Sequence, residues 1–313
     1  MSTLAAIGLL AGGTLLLVLG AEAIVRAGSS LAHRLGLSPL LIGLTVVAIG
    51  TSTPEIVVSG NAAWSGEGAV AFGNVVGSNV LNILLVLGLI AIVFPVAVHR
   101  ESIRQDIPLV VLLSLAVAAM AWSGVLGRIE GLFLLLAGLG YLAWLYHREK
   151  DQPEHVAEVP GLAEQSIAIQ LAVLGGGLTA LIFGGNNVLD GALRLAEAAG
   201  LSDRVIAITV VALGTSLPEL AVGLAGAWRK QVDLVMGNLV GSNLLNIALV
   251  LGGAALIRPI HVPEAALLVD LPVMVGAAVL LWLMARNQKI ILRWEGAVLV
   301  LGYLGYMTYL LVF

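Results

Sequence analysis

Apolar residues run along this chain in long blocks separated by short polar connections. Ten blocks are legible, at about 4–26, 38–64, 69–94, 106–123, 129–147, 166–189, 202–228, 233–257, 266–285 and 293–312. Each approaches or exceeds the roughly 20 apolar residues that cross a hydrocarbon core as a helix. The pattern predicts an all-α integral membrane protein with ten transmembrane helices. The longest polar connection, HREKDQPEHVAEVPGLAEQ from His147 to Gln165, carries two prolines and divides the chain nearly in half.

The two halves repeat. A shift of 164 residues lays Glu55 on Glu219, Ser78 on Ser242 and Asn82 on Asn246. Between Gly36–Ile92 and Gly200–Leu256, 30 of 57 positions are identical without a gap. Asp106-Ile107-Pro108 echoes Asp270-Leu271-Pro272, and Arg128-Ile129-Glu130-Gly131 echoes Arg293-Trp294-Glu295-Gly296 after a one-residue slip. Such self-similarity marks two copies of one unit. A unit of five helices is odd, so the second copy enters the membrane from the opposite side. The expected organisation is a first five-helix repeat over residues 1–147, a central cytoplasmic loop over 148–165 and an inverted second repeat over 166–313. Inverted repeats are characteristic of secondary transporters, whose sites lie near the midplane at the repeat interface.

Composition supports this class. Of 313 residues, 59% are hydrophobic and 11% charged, and the mean hydropathy is +1.04. There is no cysteine, which excludes disulfides and thiolate metal sites. The first block lacks a basic leader and reads as a retained helix. The 38 glycines suit close helix packing in lipid.

Two stretches concentrate polar chemistry inside apolar blocks: Gly50-Thr51-Ser52-Thr53-Pro54-Glu55 and Gly214-Thr215-Ser216-Leu217-Pro218-Glu219. Each proline lacks an N–H, freeing the carbonyl of Gly50 or Gly214, and its ring opens the preceding turn. The second and seventh helices are therefore expected to be broken, and a break at membrane depth is tolerated only where protein or a cavity satisfies the freed groups. The following helices carry Gly73-Asn74 through Asn82 and Gly237-Asn238 through Asn246. Ser78 and Asn82, like Ser242 and Asn246, are four apart and share a helix face. The G-x-x-x-G pairs Gly73/Gly77 and Gly237/Gly241 permit close backbone approach. Together these stretches offer two carboxylates, amide and hydroxyl oxygens and free carbonyls. An all-oxygen set suits hard cations such as Ca2+, and two carboxylates neutralise one Ca2+; the same oxygens can hold Na+.

The paired GTS-x-PE and GN-x-x-GSN-x-x-N motifs resemble the two alpha repeats of sodium/calcium exchangers of the cation/calcium-exchanger superfamily. The resemblance covers nearly the whole chain. It implies ten helices, with the second, third, seventh and eighth around a midplane ion site. It implies Glu55 and Glu219 as central Ca2+ and Na+ ligands, and Thr51, Thr215, Ala48 and Ala212 acting largely through carbonyls. Ser52, Ser78, Ser216 and Ser242 would serve Na+ sites, Asn82 and Asn246 would line the middle, and the first and sixth helices would slide to alternate access. Some relatives, the potassium-dependent branch among them, carry Asp where this chain has Asn246, which argues against K+ coupling. The middle loop is too short for the regulatory insertion of animal exchangers.

The implied function is a secondary active antiporter exchanging Na+ for Ca2+, not an enzyme, with those ions as substrates and no cofactor. The partners are the ions and the lipid bilayer, without nucleic acid, and the chain is read as monomeric. The alternatives are a Ca2+/H+ exchanger and, further off, a cation channel or an intramembrane enzyme. Several residues carry plainer readings. Asp106 and Asp270, each two before a proline, are expected to cap helices, and Glu130 and Glu295 to act structurally at helix starts. Asn74, Asn79, Asn238 and Asn243 are expected to bond helix backbones or line the cavity. Glu22 is placed near the inner end of the first helix, Asn186, Asn187 and Asp190 mark the equivalent end of the sixth, and Trp64 and Trp228 read as interfacial anchors.

Basic residues favour the cytoplasmic side. With the N-terminus outside, the inner connections hold Arg26, Arg34, Arg100, Arg104, Arg148, Lys150, Arg229, Lys230, Arg286, Lys289 and Arg293, 11 of 15 basic residues. The expected placement is the cell (inner) membrane with both termini outside. An epitope tag at either terminus should be cleaved by protease added to intact spheroplasts; cleavage only after permeabilisation would reverse the orientation.

Overall fold

The computed structural model describes residues 3–149, 162, 164–198 and 212–312. Helix α1 spans Thr3–Leu35. A bent pair follows, α2 (Pro39–Thr51) and α3 (Thr53–Ser65), then α4 (Gly68–Val93) and α5 (Ser102–Ala121), and α6 (Arg128–Glu149). The second half comprises α7 (Ile167–Ala198), the short α8 (Ala212–Thr215) and α9 (Leu217–Trp228). Helices α10 (Val232–Ile257), α11 (Ala266–Gln288) and α12 (Arg293–Val312) complete it. Among the described residues eight helices are long and apolar enough to cross a membrane, or nine counting the bent pair as one span. The apolar block expected at 202–228 lies partly outside the described residues.

Helices dominate because hydrocarbon offers no partner for a free backbone N–H or C=O. Two helices run further than the apolar blocks indicate. α1 has 33 residues and α7 has 32, about 50 Å each at 1.5 Å per residue, more than a bilayer core of about 30 Å. Arg26 and Arg194 thus lie within helices rather than in connections. Glu22 and Asp190 likewise sit well before the ends of their helices. Nothing stops α1 until Gly36, whose φ of +65° is the left-handed conformation that favours glycine after a helix.

The two long helices pack against each other antiparallel, and glycine sets their separation. A Cβ on Gly13 would lie 2.7 Å from the Gly184 carbonyl oxygen, and one on Gly20 would lie 2.7 Å from that of Gly177. Shifting Gly13 and Gly20 by 164 gives Gly177 and Gly184, so the two contacts are the same contact repeated. Another pair obeys the same rule: Gly88 against Gly296, and Gly252 against Gly131, each with its would-be Cβ within 3.0 Å of the other's carbonyl oxygen. A hydrophobic cluster centred on the α1–α7 pair includes Leu17, Ile24, Leu31, Leu174 and Leu181, and Ile42, Val47, Val222 and Leu234 join it from α2, α9 and α10. A larger cluster runs through α4–α6 and α10–α12. α4 and α10 are the most deeply enclosed, whereas the other spans expose residues such as Leu112, Phe133, Leu136, Leu301 and Leu304 along one flank.

Short strands tie the halves together at both ends. β1 (Val96–Ala97) pairs antiparallel with β4 (Ile290–Ile291), Val96 opposite Ile291. β2 (Val125–Leu126) pairs antiparallel with β3 (Ile260–His261), Leu126 opposite Ile260. The first pair joins the ends of α4 and α11, and the second the ends of α5 and α10, so they lie at opposite ends of the bundle. The repeat offset converts one register into the other.

Two expected caps are something else. Asp106 and Asp270 make no side-chain cap bond, because each helix begins upstream, in the π-helical turns Ser102–Asp106 and Ala266–Asp270. Their carboxylates hold the following helix instead. Asp106 accepts from Tyr141 Oη at 3.0 Å and from Arg148 Nη1 at 2.9 Å. Asp270 accepts from Tyr306 Oη at 2.8 Å. Glu295 is structural as expected: its Oε2 accepts the Leu292 N–H at 2.8 Å, the return half of a capping box. Trp64 and Trp228 are strongly exposed, at the ends of α3 and α9.

The glycine contacts make a direct prediction. Gly252→Ala would place its methyl 2.9 Å from the Gly131 carbonyl oxygen, an overpacking that costs about 1–3 kcal/mol. The purified variant should melt at a lower temperature than wild type, whereas Gly305→Ala, with open space around its would-be Cβ, should not.

Candidate functional site

The centre of the molecule is built where two helices break. α2 and α3 meet at Ser52 (φ −81°, ψ 8°) with a 50° bend between their axes. Ser216 (φ −97°, ψ 9°) separates α8 from α9 in the same way. Pro54 and Pro218 fall in the first turn of the helix that restarts, where a missing N–H is least costly. Local bonds hold the first break. Ser52 N–H donates to the Ala48 carbonyl at 3.0 Å and Ile56 N–H to the Ser52 carbonyl at 3.0 Å. Thr53 Oγ1 donates to the Ile49 carbonyl at 3.0 Å.

Glu55 and Glu219 then project from the first turns of α3 and α9, and both are fully buried. Ser78 Oγ donates to Glu55 Oε1 at 3.3 Å. Ser52 Oγ donates to Glu219 Oε1 at 3.4 Å, so a hydroxyl of one half serves the carboxylate of the other. Thr51 crosses as well: its Oγ1 donates to Asn238 Oδ1 at 2.9 Å and lies 3.4 Å from Ser242 Oγ. Asn246 Nδ2 donates to Asn79 Oδ1 at 3.4 Å, and Asn79 Nδ2 to the Asn243 carbonyl at 3.3 Å. Four segments, the two breaks and the helices α4 and α10, therefore interlock through polar side chains in an otherwise apolar core. The two carboxylates repel each other across the site.

Of the twelve residues singled out from sequence, nine are buried at this centre: Thr51, Ser52, Glu55, Ser78, Asn82, Ser216, Glu219, Ser242 and Asn246. Ala48 is buried too, with its carbonyl on the Ser52 N–H. Thr215 is half-buried at the end of α8. Ala212 begins α8, and only its backbone lies within the description. Of the asparagines expected to bond helix backbones or line the cavity, Asn74, Asn79 and Asn243 bond backbone carbonyls, whereas Asn238 accepts from the Thr51 hydroxyl instead. Asn74 Nδ2 donates to the Glu55 carbonyl at 3.4 Å and Asn243 Nδ2 to the Leu239 carbonyl at 2.8 Å.

Many buried polar atoms here have no hydrogen-bond partner in the protein. They include Oε2 of Glu55 and of Glu219, Oδ1 of Asn82, Asn243 and Asn246, and Oγ of Ser216. Leaving polar atoms unpaired in a low-dielectric interior is costly, and native proteins rarely do so without a functional reason. The oxygens among them are hard donors of the kind that Ca2+ and similar cations take, whereas Nδ2 of Asn82 and of Asn238, unpaired as well, are hydrogen-bond donors. Among the described residues no group of three or more His, Cys, Asp or Glu gathers as a metal site, so the formal charge comes from two glutamates and the other donors are neutral.

Some of the construction is invisible from sequence spacing. Asn82 and Asn246 each open a π-helical turn, Asn82–Leu87 and Asn246–Leu251; such turns are frequent at functional sites. Ser59, whose Oγ accepts from Asn74 Nδ2 at 2.9 Å, stands one turn beyond Glu55 on the same face. Its counterpart in the second half is Gly223, so the repeat gives no hint of it.

A multi-pass bundle with a buried, two-carboxylate oxygen site defines a membrane ion transporter, and comparison with known proteins gives the family. The family model described as "Sodium/calcium exchanger protein" matches residues 5–147 and again 169–312. The chain is 35% identical to the inner membrane protein YrbG of Escherichia coli, over 98% of this chain and 97% of that one. It is 30% identical to the sodium/calcium exchanger MaX1 of Methanosarcina acetivorans, over 95% and 96%. A structure of the sodium-calcium exchanger NCX_Mj, soaked with zero Na+ and Ca2+, superposes with a TM-score of 0.87 at 32% identity, covering 98% of this chain and 99% of that one. The chain belongs to the sodium/calcium exchanger family, and it is a transporter of the cation/calcium-exchanger superfamily.

Proposed function

We propose that this protein is a secondary active antiporter that exchanges Na+ for Ca2+ by alternating access. The observation that carries the reading is the buried pair Glu55 and Glu219, each with an oxygen that no protein group satisfies. One Ca2+ balances their two charges; Na+ ions balance them equally, so the two substrates compete for the same carboxylates. The proposed ligands are Glu55 and Glu219, with hydroxyl or carbonyl oxygens of Thr51, Thr215, Ser52, Ser216, Ser78 and Ser242. The amides of Asn82 and Asn246 and the carbonyls of Ala48 and Ala212 complete the set. Asn246 keeps a third full charge out of the site, which fits exchange without K+.

The architecture we infer has ten spans in two inverted units, residues 1–147 and 166–313, joined by a cytoplasmic loop over 148–165, in the cell membrane with both termini outside. The paired registers of β1–β4 and β2–β3 support the inversion, since one becomes the other under the repeat offset and they lie at opposite ends. The sliding element is α1 with α7. Glycine-to-glycine contact brings α1 and α7 close enough to move as one body, and the hydrophobic cluster around them, which Ile42, Val47, Val222 and Leu234 join from neighbouring helices, is separate from the main one.

Reconstituted in liposomes, the protein should accumulate 45Ca2+ when an outward Na+ gradient is imposed, and K+ should not be required. Accumulation driven by a pH gradient and not by Na+ would make it a Ca2+/H+ exchanger; Ca2+ flux without any counter-ion would make it a channel. Glu55→Gln and Glu219→Gln should each abolish uptake while the purified variants remain monodisperse. Near-normal transport by either variant would sink the shared site.

A further inference from the structure

A polar cavity apart from the glutamates lies between the beginning of the α5 span and the end of α11. It has a volume of about 440 Å³, and Arg100, Arg104, Arg286 and Lys289 line it together with Trp282 and Pro108. No carboxylate lines it. Arg100 and Arg104 are one turn apart and so project from one face. Trp282 Nε1 donates to the Ile103 carbonyl at 3.1 Å, tying the two walls together. The Arg286 guanidinium carbon sits 5.7 Å from the centre of the Trp282 ring, within reach of a cation–π attraction. Among the described residues none of the four cations has an ion-pair partner.

The repeat supplies an internal control. A cavity with the same volume of about 440 Å³ occurs at the opposite end of the bundle, lined by Ala118, Trp122, Leu267, Pro272 and further apolar residues of α11. Those four positions correspond to Trp282, Arg286, Ile103 and Pro108 under the repeat offset. The counterparts of Arg100 and Arg104 are Glu264 and Leu268. The fold therefore makes this cavity twice without needing cations to hold it open, and the sequence charges one copy only. Four cations collected without a counter-charge repel one another, and that arrangement is stable when an anion sits among them.

We propose that the basic cavity binds a phosphate-bearing anion, and specifically the headgroup of an anionic phospholipid. The cavity opens at the end of two spans, beside Trp282 and the exposed ends of α5 and α11, where headgroups lie. Basic pockets between spans on the cytoplasmic side take such headgroups, and this is the end we place in the cytoplasm. The inference does not depend on which ions are exchanged.

The test is native mass spectrometry of the purified full-length protein in neutral detergent, with phosphatidylglycerol and phosphatidylcholine of matched acyl chains added in turn. Phosphatidylglycerol should be retained roughly tenfold better, as a cluster of basic residues predicts. The double substitution R104Q/R286Q should erase that preference. Glycerol 3-phosphate at equal concentration should not displace the lipid. Equal retention of the two lipids, or an unchanged preference in the variant, would overturn the site. Displacement by glycerol 3-phosphate at equal concentration would overturn the lipid and assign the cavity to a free phosphate. If R104Q/R286Q does not yield monodisperse protein, R100Q/K289Q, at the exposed ends of the two helices, makes the same measurement with the same deciding outcomes.

Discussion

Two like-charged carboxylates buried at the centre of a membrane protein are the constraint on which this structure turns. A charge at the middle of a span costs about 2.5–3.5 kcal/mol on insertion scales, and Glu55 and Glu219 add mutual repulsion to that. The surroundings offset the cost without neutralising the charge. Ser52 and Ser78 donate to the carboxylates, Thr51 reaches Asn238, and Asn246 reaches Asn79. One oxygen of each glutamate is left over. A site that satisfied both carboxylates fully would be a structural network and would have no use for a cation. Partial satisfaction is what lets a passing cation compete.

Around that centre the fold is arranged in graded rigidity. The breaks at Ser52 and Ser216 are clamped between α4 and α10, the most enclosed helices. Outside them Asp106 with Tyr141 and Arg148, and Asp270 with Tyr306, fasten each helix to the next. Strand pairs close both ends. The α1–α7 pair is longer than the bilayer core is thick and is joined through glycine backbones. The motif residues are the same in both halves, but their hydrogen bonds are not, since Ser52 reaches Glu219 while Ser216 is unpaired, and the periphery departs further. Arg148 buttresses Asp106 but has no basic counterpart near Asp270, and one of two equivalent cavities is cationic while the other is apolar.

Much of this was legible in the chain. The apolar blocks, the offset of 164 residues and the doubled GTS-x-PE stretch pointed to a membrane bundle and to the residues at its centre. The misreadings have physical causes. Asp106 and Asp270 looked like caps because a proline two residues on usually starts a helix, but π-helical turns upstream had already started it. The first and sixth helices were drawn short because apolarity ended near Arg26 and Asp190, whereas helix formation requires only the absence of a breaker. Ser59 went unnoticed because its equivalent is glycine.

The sequence by itself determined the class, the repeat and the kinds of oxygen available, because each follows from local rules. Hydrocarbon forces helices, proline breaks them, and a duplicated motif must be used twice. The tertiary structure alone decided which hydroxyl meets which carboxylate across the two halves and which oxygens remain unpaired. It also decided where π-helical turns place Asn82 and Asn246, and it gathered Arg100 and Arg104 with Arg286 and Lys289. Those are distances between segments up to about two hundred residues apart, set by glycine contacts and strand registers that no window along the chain contains.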